Sequence, residues 1–291
     1  MSDPNTPQPQ PVAGQPMAGH PDMPANAVIP TELRLHSHST ILYWWPVWAF
    51  GFLFSLLTLM DNHRMVIVPS GAVLTKVNEG TDAKPKNEVV LTAPADSTDR
   101  ILRDSVEKDG KTYPKIRMSS KGWMGPTFVI ILLLVIFITN VPLRGTLSII
   151  VILAVVVMSL MFALFGWWDD IFGKFADLHV YINLAGYAFI STVLFVGWCV
   201  AIFFIDRRTF IVFTRGSIRV REEIGGREKT YDTTGMSVTK LRDDLFRHIF
   251  LGIGTGDLVV QTFGAEKHEI RMANIWMIDR YLPIIEQMMK K

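Results

Sequence analysis

The sequence predicts a polytopic α-helical membrane protein with four transmembrane helices, a C-terminal antiparallel β domain closed by one helix, and a small α+β extramembrane loop domain. Two observations carry this. Of the 291 residues 49% are hydrophobic and only 19% charged, against about 25% charged in an ordinary soluble domain. The depletion is also local: 127–143, 146–168 and 180–205 contain no charged residue. A third observation concerns the last 86 residues, where short alternating segments separated by glycine turns give way to one amphipathic stretch.

Residues 1–35, "MSDPNTPQPQPVAGQPMAGHPDMPANAVIPTELRL", are rich in Pro, Gln, Ala and Gly. They are read as a disordered tail, because they lack the apolar surface that offsets ordering entropy. They have neither the basic start nor the apolar core of a secretory signal. The first span is 41–60, "ILYWWPVWAFGFLFSLLTLM", whose Tyr43, Trp44, Trp45 and Trp48 suit the aromatic belt of a membrane interface. Pro46 falls in its first turns, where a missing N–H costs little. In "HSHST" before it, Ser37, Ser39 or Thr40 is positioned to cap the helix.

The other spans are 125–143, 146–166 and 181–205, each near the ~20 residues that a bilayer requires. Only Arg144 and Gly145 separate the second from the third, which predicts a tight antiparallel hairpin. Between the third and fourth, 167–179 places Ile171, Phe172, Phe175 and Leu178 against Asp169, Asp170, Lys174 and Asp177, an amphipathic helix lying on the interface. The loop domain, 61–121, reads as strands at 64–69, 72–77, 88–93 and 113–118 with one helix at 97–108.

The terminal domain, 206–291, is more regular. "TFIVFT" and "SIRVREE" flank the Arg215-Gly216 turn as a hairpin, "EKTYDT" and "MSVTKL" follow, and "DLVVQTF" and "HEIRMA" are joined by "GAEK". Its last helix, with Asn274 as cap, places Ile275, Ile278, Tyr281, Leu282, Ile285 and Met289 on one face. Here "GIGTGDLVVQTFGAEKHEIRMANI" and the helix after it resemble the bacterial pleckstrin-homology-like (PH-like) domain, over 208–289. That resemblance implies a curved antiparallel sheet capped by a helix, attachment to membrane helices, and binding rather than catalysis. It also implies a bacterial inner membrane with both termini in the cytoplasm. The positive-inside count is even: Arg34, Arg144, Arg207, Arg208 and Arg215 on the terminal side, Arg64, Lys115, Arg117, Lys121 and Lys174 on the other.

Candidate sites are few. His36 and His38 share a face only if the segment is extended; the other histidines on their side are His20, His248 and His268, with no cysteine near. Asp61 and His63 in the first loop and Asp177 and His179 in the third fall on the same side, and form the best metal or acid–base candidate. The glycines of "GIGTGDL" precede a strand, which argues for a turn and against a dinucleotide fingerprint. Arg207, Arg208, Arg215, Arg219 and Arg221 follow the last span, and each is a candidate contact to anionic headgroups or to a partner. No span contains Asp, Glu, Lys, Arg or His, so a charge-coupled transporter is disfavoured.

The net charge of +2 does not suit nucleic acid, and the single cysteine, Cys199, excludes an intrachain disulfide. These residues imply no cofactor and no catalytic constellation. The function expected is a non-enzymatic membrane-anchored scaffold engaging lipids, a partner protein or a second copy of itself. The alternatives are a metal-binding or enzymatic membrane subunit using His63 and His179, and a transport accessory subunit.

Overall fold

A computed structural model describes residues 30–79, 86–92, 94, 105–108, 110–141, 143–221, 228–233, 235–242, 244–262 and 268–289. Its helical part begins with a 3₁₀ turn, Thr40–Trp44, that runs into α1, Trp45–Asp61. There follow α2, Met124–Asn140, α3, Thr146–Leu164, α4, Trp167–Ala176, and α5, Leu184–Val200. A π-helical turn, Ala201–Ile205, extends α5. Three helical segments are long and apolar enough to cross a membrane: Thr40–Asp61, Thr146–Leu164 and Leu184–Arg208. The remaining apolar helix, α2, has 17 residues.

α1 packs along α5 and α2 around Val47, Phe54, Phe128, Val135 and Tyr187. The aromatic rings meet edge to face, Phe54 lying 5.8 Å and Phe128 5.3 Å from Tyr187. Two glycines set the approach of these segments. A Cβ on Gly51 would stand 1.9 Å from Ser191 Oγ, and one on Gly125 would stand 1.7 Å from the Val180 carbonyl oxygen. Small residues at such points let membrane helices come close enough for dispersion forces to hold them.

The expected α2–α3 hairpin is not what forms. α3 is exposed nearly all round and lies against α4, with no extended interface to α2. The α3–α4 contact is made by Trp167 and Trp168 against Phe162, and Trp168 Nε1 donates to the Ser159 carbonyl (3.1 Å). A helix that is apolar on every side needs no protein partner in hydrocarbon, so the short Arg144-Gly145 link fixes proximity without packing.

The loop segment is built from strand pairs. β2, Arg64–Met65, pairs with β7, Ile116–Arg117; β3, Val73–Glu79, with β4, Lys86–Thr92; and β5, Ser105–Lys108, with β6, Lys111–Pro114. The helix expected over 97–108 is therefore corrected at its end: Ser105–Lys108 is a strand, and the rest of it lies outside the described residues. Gly110, at φ 69°, turns the chain between β5 and β6, and Asp-Gly at 109–110 is a strong short-range hairpin signal. It overrides the helical spacing before it.

Among the described residues the β domain has two sheets, a π-helical turn, Phe246–Leu251, and one α-helix. β8, Phe210–Thr214, and β9, Ser217–Arg221, form the expected hairpin, with Gly216 at φ 91° in the turn. β10 is Lys229–Asp232, β11 Ser237–Leu241, β12 Gly256–Gln261 and β13 Glu269–Ile275. One sheet has the order β1-β8-β9-β10, where β1 is Glu32–His36, and the other β11-β12-β13. α6, Ile278–Met289, lays Ile278, Leu282, Ile285 and Met288 on the core that both sheets share.

The first strand comes from an unexpected place. β1, Glu32–His36, precedes the first membrane helix and pairs antiparallel with β8, Leu35 opposite Ile211. The tail reading is thus corrected for 32–35, while 1–29 lie outside the described residues. Leu33 and Leu35 point into the core and Glu32 and Arg34 outward, the period-2 alternation of a half-buried strand. Ser37 N donates to the Thr209 carbonyl, while Ser37 Oγ (2.8 Å) and His38 N (3.3 Å) donate to that of Ala273. β1 and the turn after it thereby tie the two sheets together.

Candidate functional site

The ends of α1 and α5 meet the β domain at a stitched junction. Ser39 N donates to Asp206 Oδ2 (3.0 Å), and Ser39 Oγ and His38 Nδ1 both lie 3.3 Å from the same oxygen. Asp206 is buried, and these three polar contacts compensate its desolvation. The serines expected to cap the first helix instead bind across the junction, and the first helical turn has no side-chain cap.

Tyr43 is the central peg. It is fully buried, its hydroxyl donates to Asn274 Oδ1 (2.8 Å), and it lies 3.1 Å from Thr255 Oγ1. Asn274 Nδ2 donates to the His38 carbonyl (2.8 Å). Asn274 was expected to cap the last helix; it sits instead within β13, at φ 55°, with its backbone N–H on Asp257 Oδ1 (3.0 Å). Asparagine tolerates left-handed backbone better than most residues. Trp45 Nε1 donates to the Leu251 carbonyl (2.8 Å), and Ile138 at the end of α2 packs with Tyr43 and Leu251.

Beside this junction opens a cavity of about 870 Å³, within the size range of small-molecule sites. Its apolar walls are Leu42, Trp45, Trp198, Ile202, Phe203, Leu251, Ile253 and Trp276, and its polar groups are Arg34, Arg207, His36 and His38. Among the described residues, no carboxylate lines it. Neither arginine meets a carboxylate among the described residues; Arg34 lies 3.6 Å above the Phe210 ring and Arg207 5.6 Å from that of Phe203. Burial, then the charges of Arg34, His38 and Arg207, hold the His36 imidazole below its usual pKa, against a hydrogen bond to the Arg207 backbone. His36 Nδ1 is buried with no hydrogen-bond partner.

Large apolar side chains project from the π-helical turn Phe246–Leu251 and from the loops that bring Ile253 and Trp276 to the cavity. Phe250 is 71% exposed, Ile253 69% and Trp276 55%, with Ile249 and Met277 beside them. Ile253 and Met277 adopt φ 46° and φ 50°. Left-handed backbone is unusual for a β-branched residue such as Ile253.

The arginines singled out in the sequence are partly gathered. Arg219 and Arg221 do share the outward face of the four-stranded sheet, where Arg34 joins them opposite Val212, and Phe210 lies opposite Arg221. Arg207 and Arg208 are exposed at the end of the last span. Arg215, in the turn, stands at the far end of β8 from the helices. Arg34 was counted in the sequence only for topology; the signal that finds it is the alternation of "ELRLH".

The first- and third-loop candidates do not form a cluster. His63 Nδ1 lies 3.4 Å from Asp61 Oδ1 and 2.8 Å from the Asp61 carbonyl oxygen. The other carboxylate oxygen of Asp61 accepts from Ser119 Oγ (2.7 Å) and from Ser120 N (2.9 Å). His179 turns back on the carbonyl of Asp177. Among the described residues, no group of three or more His, Cys, Asp and Glu is placed to hold a metal ion.

The apolar helices and antiparallel sheets fit the class of membrane proteins that carry a β domain. Comparison with family models, with curated proteins and with solved structures returned no match to this chain.

Proposed function

We propose that this chain is a non-enzymatic, four-span membrane protein that holds a PH-like domain against the bilayer surface to engage lipid headgroups or a partner protein. The observation that carries the reading is the rim of Phe250, Ile253 and Trp276 beside the helix ends. Exposed apolar side chains at that level are stable in the interface and costly in water. Four strands, three strands and a closing C-terminal helix support the PH-like part.

α2 supports the fourth span. Its first turn lies against Val180, beside the end where α5 begins, and its last turn touches Leu251. It therefore traverses the bundle between the same two levels as α1 and α5. Both termini then lie on the β-domain side, and we place that side in the cytoplasm of a bacterial cell.

Photo-crosslinking residues introduced singly at Phe250, Ile253, Arg219 and Arg215 in intact membranes test the reading. The first two should give acyl-lipid adducts, Arg219 adducts to lipid headgroups or to one protein, and Arg215 mainly the water-quenched product. Water-quenched product at both Phe250 and Ile253 would overturn the membrane seat.

A further inference from the structure

We propose that the cavity between the helix ends and the β domain is a binding site for one anionic phospholipid, with Arg34 and Arg207 taking the phosphate and the apolar wall taking the first part of the acyl chains. The inference rests on the membrane seat proposed above, and deepens it by naming a ligand class and a site.

Charge complementarity selects the ligand's head. Two guanidinium groups line the cavity with no carboxylate in its wall, and neither has an acidic partner among the described residues. Asp206, next to Arg207 in sequence, is buried and engaged by Ser39 and His38, and Glu32, two residues from Arg34 on the same face of β1, does not line the cavity. Arginine's planar fork matches phosphate oxygens, and a charge-assisted pair is stronger where apolar walls exclude water.

Position selects a lipid over a soluble phosphate. Trp45 and Trp198 belong to the first turn of α1 and the last turn of α5, and Phe203 to the turn that extends α5. Phe203, Ile253 and Trp276 line the cavity and are themselves exposed large apolar residues. The wall is thus continuous with the lipid-facing surface of the helices, which gives a bilayer lipid a lateral way in.

The test is native mass spectrometry of the full chain released from nanodiscs of mixed phosphatidylglycerol and phosphatidylcholine. Wild-type protein should retain one phosphatidylglycerol in preference to phosphatidylcholine. If each cation contributes about fivefold, Arg34→Gln with Arg207→Gln should lower that retention about 25-fold, and the distal Arg215→Gln should leave it unchanged. Both arginines are exposed and outside the core, and each single variant, expected to lose about fivefold, provides the same reading if the double variant is unstable.

Equal retention by wild type and the arginine variants overturns the site. Displacement of the lipid by millimolar inorganic phosphate overturns the choice of a lipid, and indicates a soluble anion. If the crosslinks at Phe250 and Ile253 reach lipid while retention is unchanged, the inference fails and the membrane seat stands. Water-quenched crosslinks at both positions defeat the seat itself.

Discussion

Tyr43→Phe removes a single oxygen from the junction between bundle and β domain. The hydroxyl makes two contacts, at 2.8 Å to Asn274 Oδ1 and at 3.1 Å to Thr255 Oγ1, in a fully buried site. Phenylalanine keeps the ring against Ile138 and Leu251 and leaves Asn274 Oδ1 facing an apolar edge. Each hydrogen bond contributes about 1 kcal/mol net, and an orphaned buried acceptor costs about 1–3 kcal/mol. The sum is about 2–3 kcal/mol, because Asn274 keeps its bond to the His38 carbonyl and Thr255 is free to rotate. Expressed as local opening, that is about a 30- to 150-fold rise in amide exchange. Exchange measured on the full chain in nanodiscs should rise by this factor in 252–256 and 273–276, and much less in α1 and α5. Unchanged protection at those two segments would refute the argument that Tyr43 joins the two parts, as would an equal rise throughout the chain.

The remaining predictions concern packing and protonation. Gly125→Ala should lower the thermal stability of the detergent-solubilised chain more than Gly51→Ala, because its new Cβ meets a backbone carbonyl that cannot move aside. Overpacking at Gly51 should cost about 1–3 kcal/mol, and Ser191→Ala should restore part of that loss by removing the Oγ it strikes; additive losses would refute the contact. His248 is buried, and desolvation holds its pKa below 6.5 although Asp257 and Asp244 oppose the shift. Below that pH the unfolded chain takes up more protons, so this group's contribution is present above about pH 6.5 and lost as pH falls through and below it. His36 shifts in the same direction. His248→Gln should therefore flatten the acid side of a melting-temperature profile without abolishing its slope, and a profile of unchanged slope would refute the assignment.

Much of the fold is legible along the chain because its signals are local. Uniformly apolar runs of 17 to 25 residues have no soluble explanation in this number, and α1, α3 and α5 lie where those runs are. The β8–β9 hairpin follows from alternation around Arg215-Gly216. The helix expected at 97–108 shows the limit of periodicity, since a two-residue turn signal just beyond it decided the pairing of Ser105–Lys108.

What the sequence by itself determined is which segments are apolar enough for the bilayer and which alternate as strands. Only the tertiary structure decided that "HSHS" is a junction, that Tyr43 reaches Asn274 across 231 residues, and that Arg34 and Arg207 line one cavity. The alternation of "ELRLH" shows that these five residues suit a half-buried strand, but not which edge they join. That choice depends on β8 exposing its edge and on the shared core leaving room for Leu33 and Leu35. Pairing between segments separated by four apolar runs is decided by complementary surfaces, and those exist only once the helices have brought the ends of the chain together.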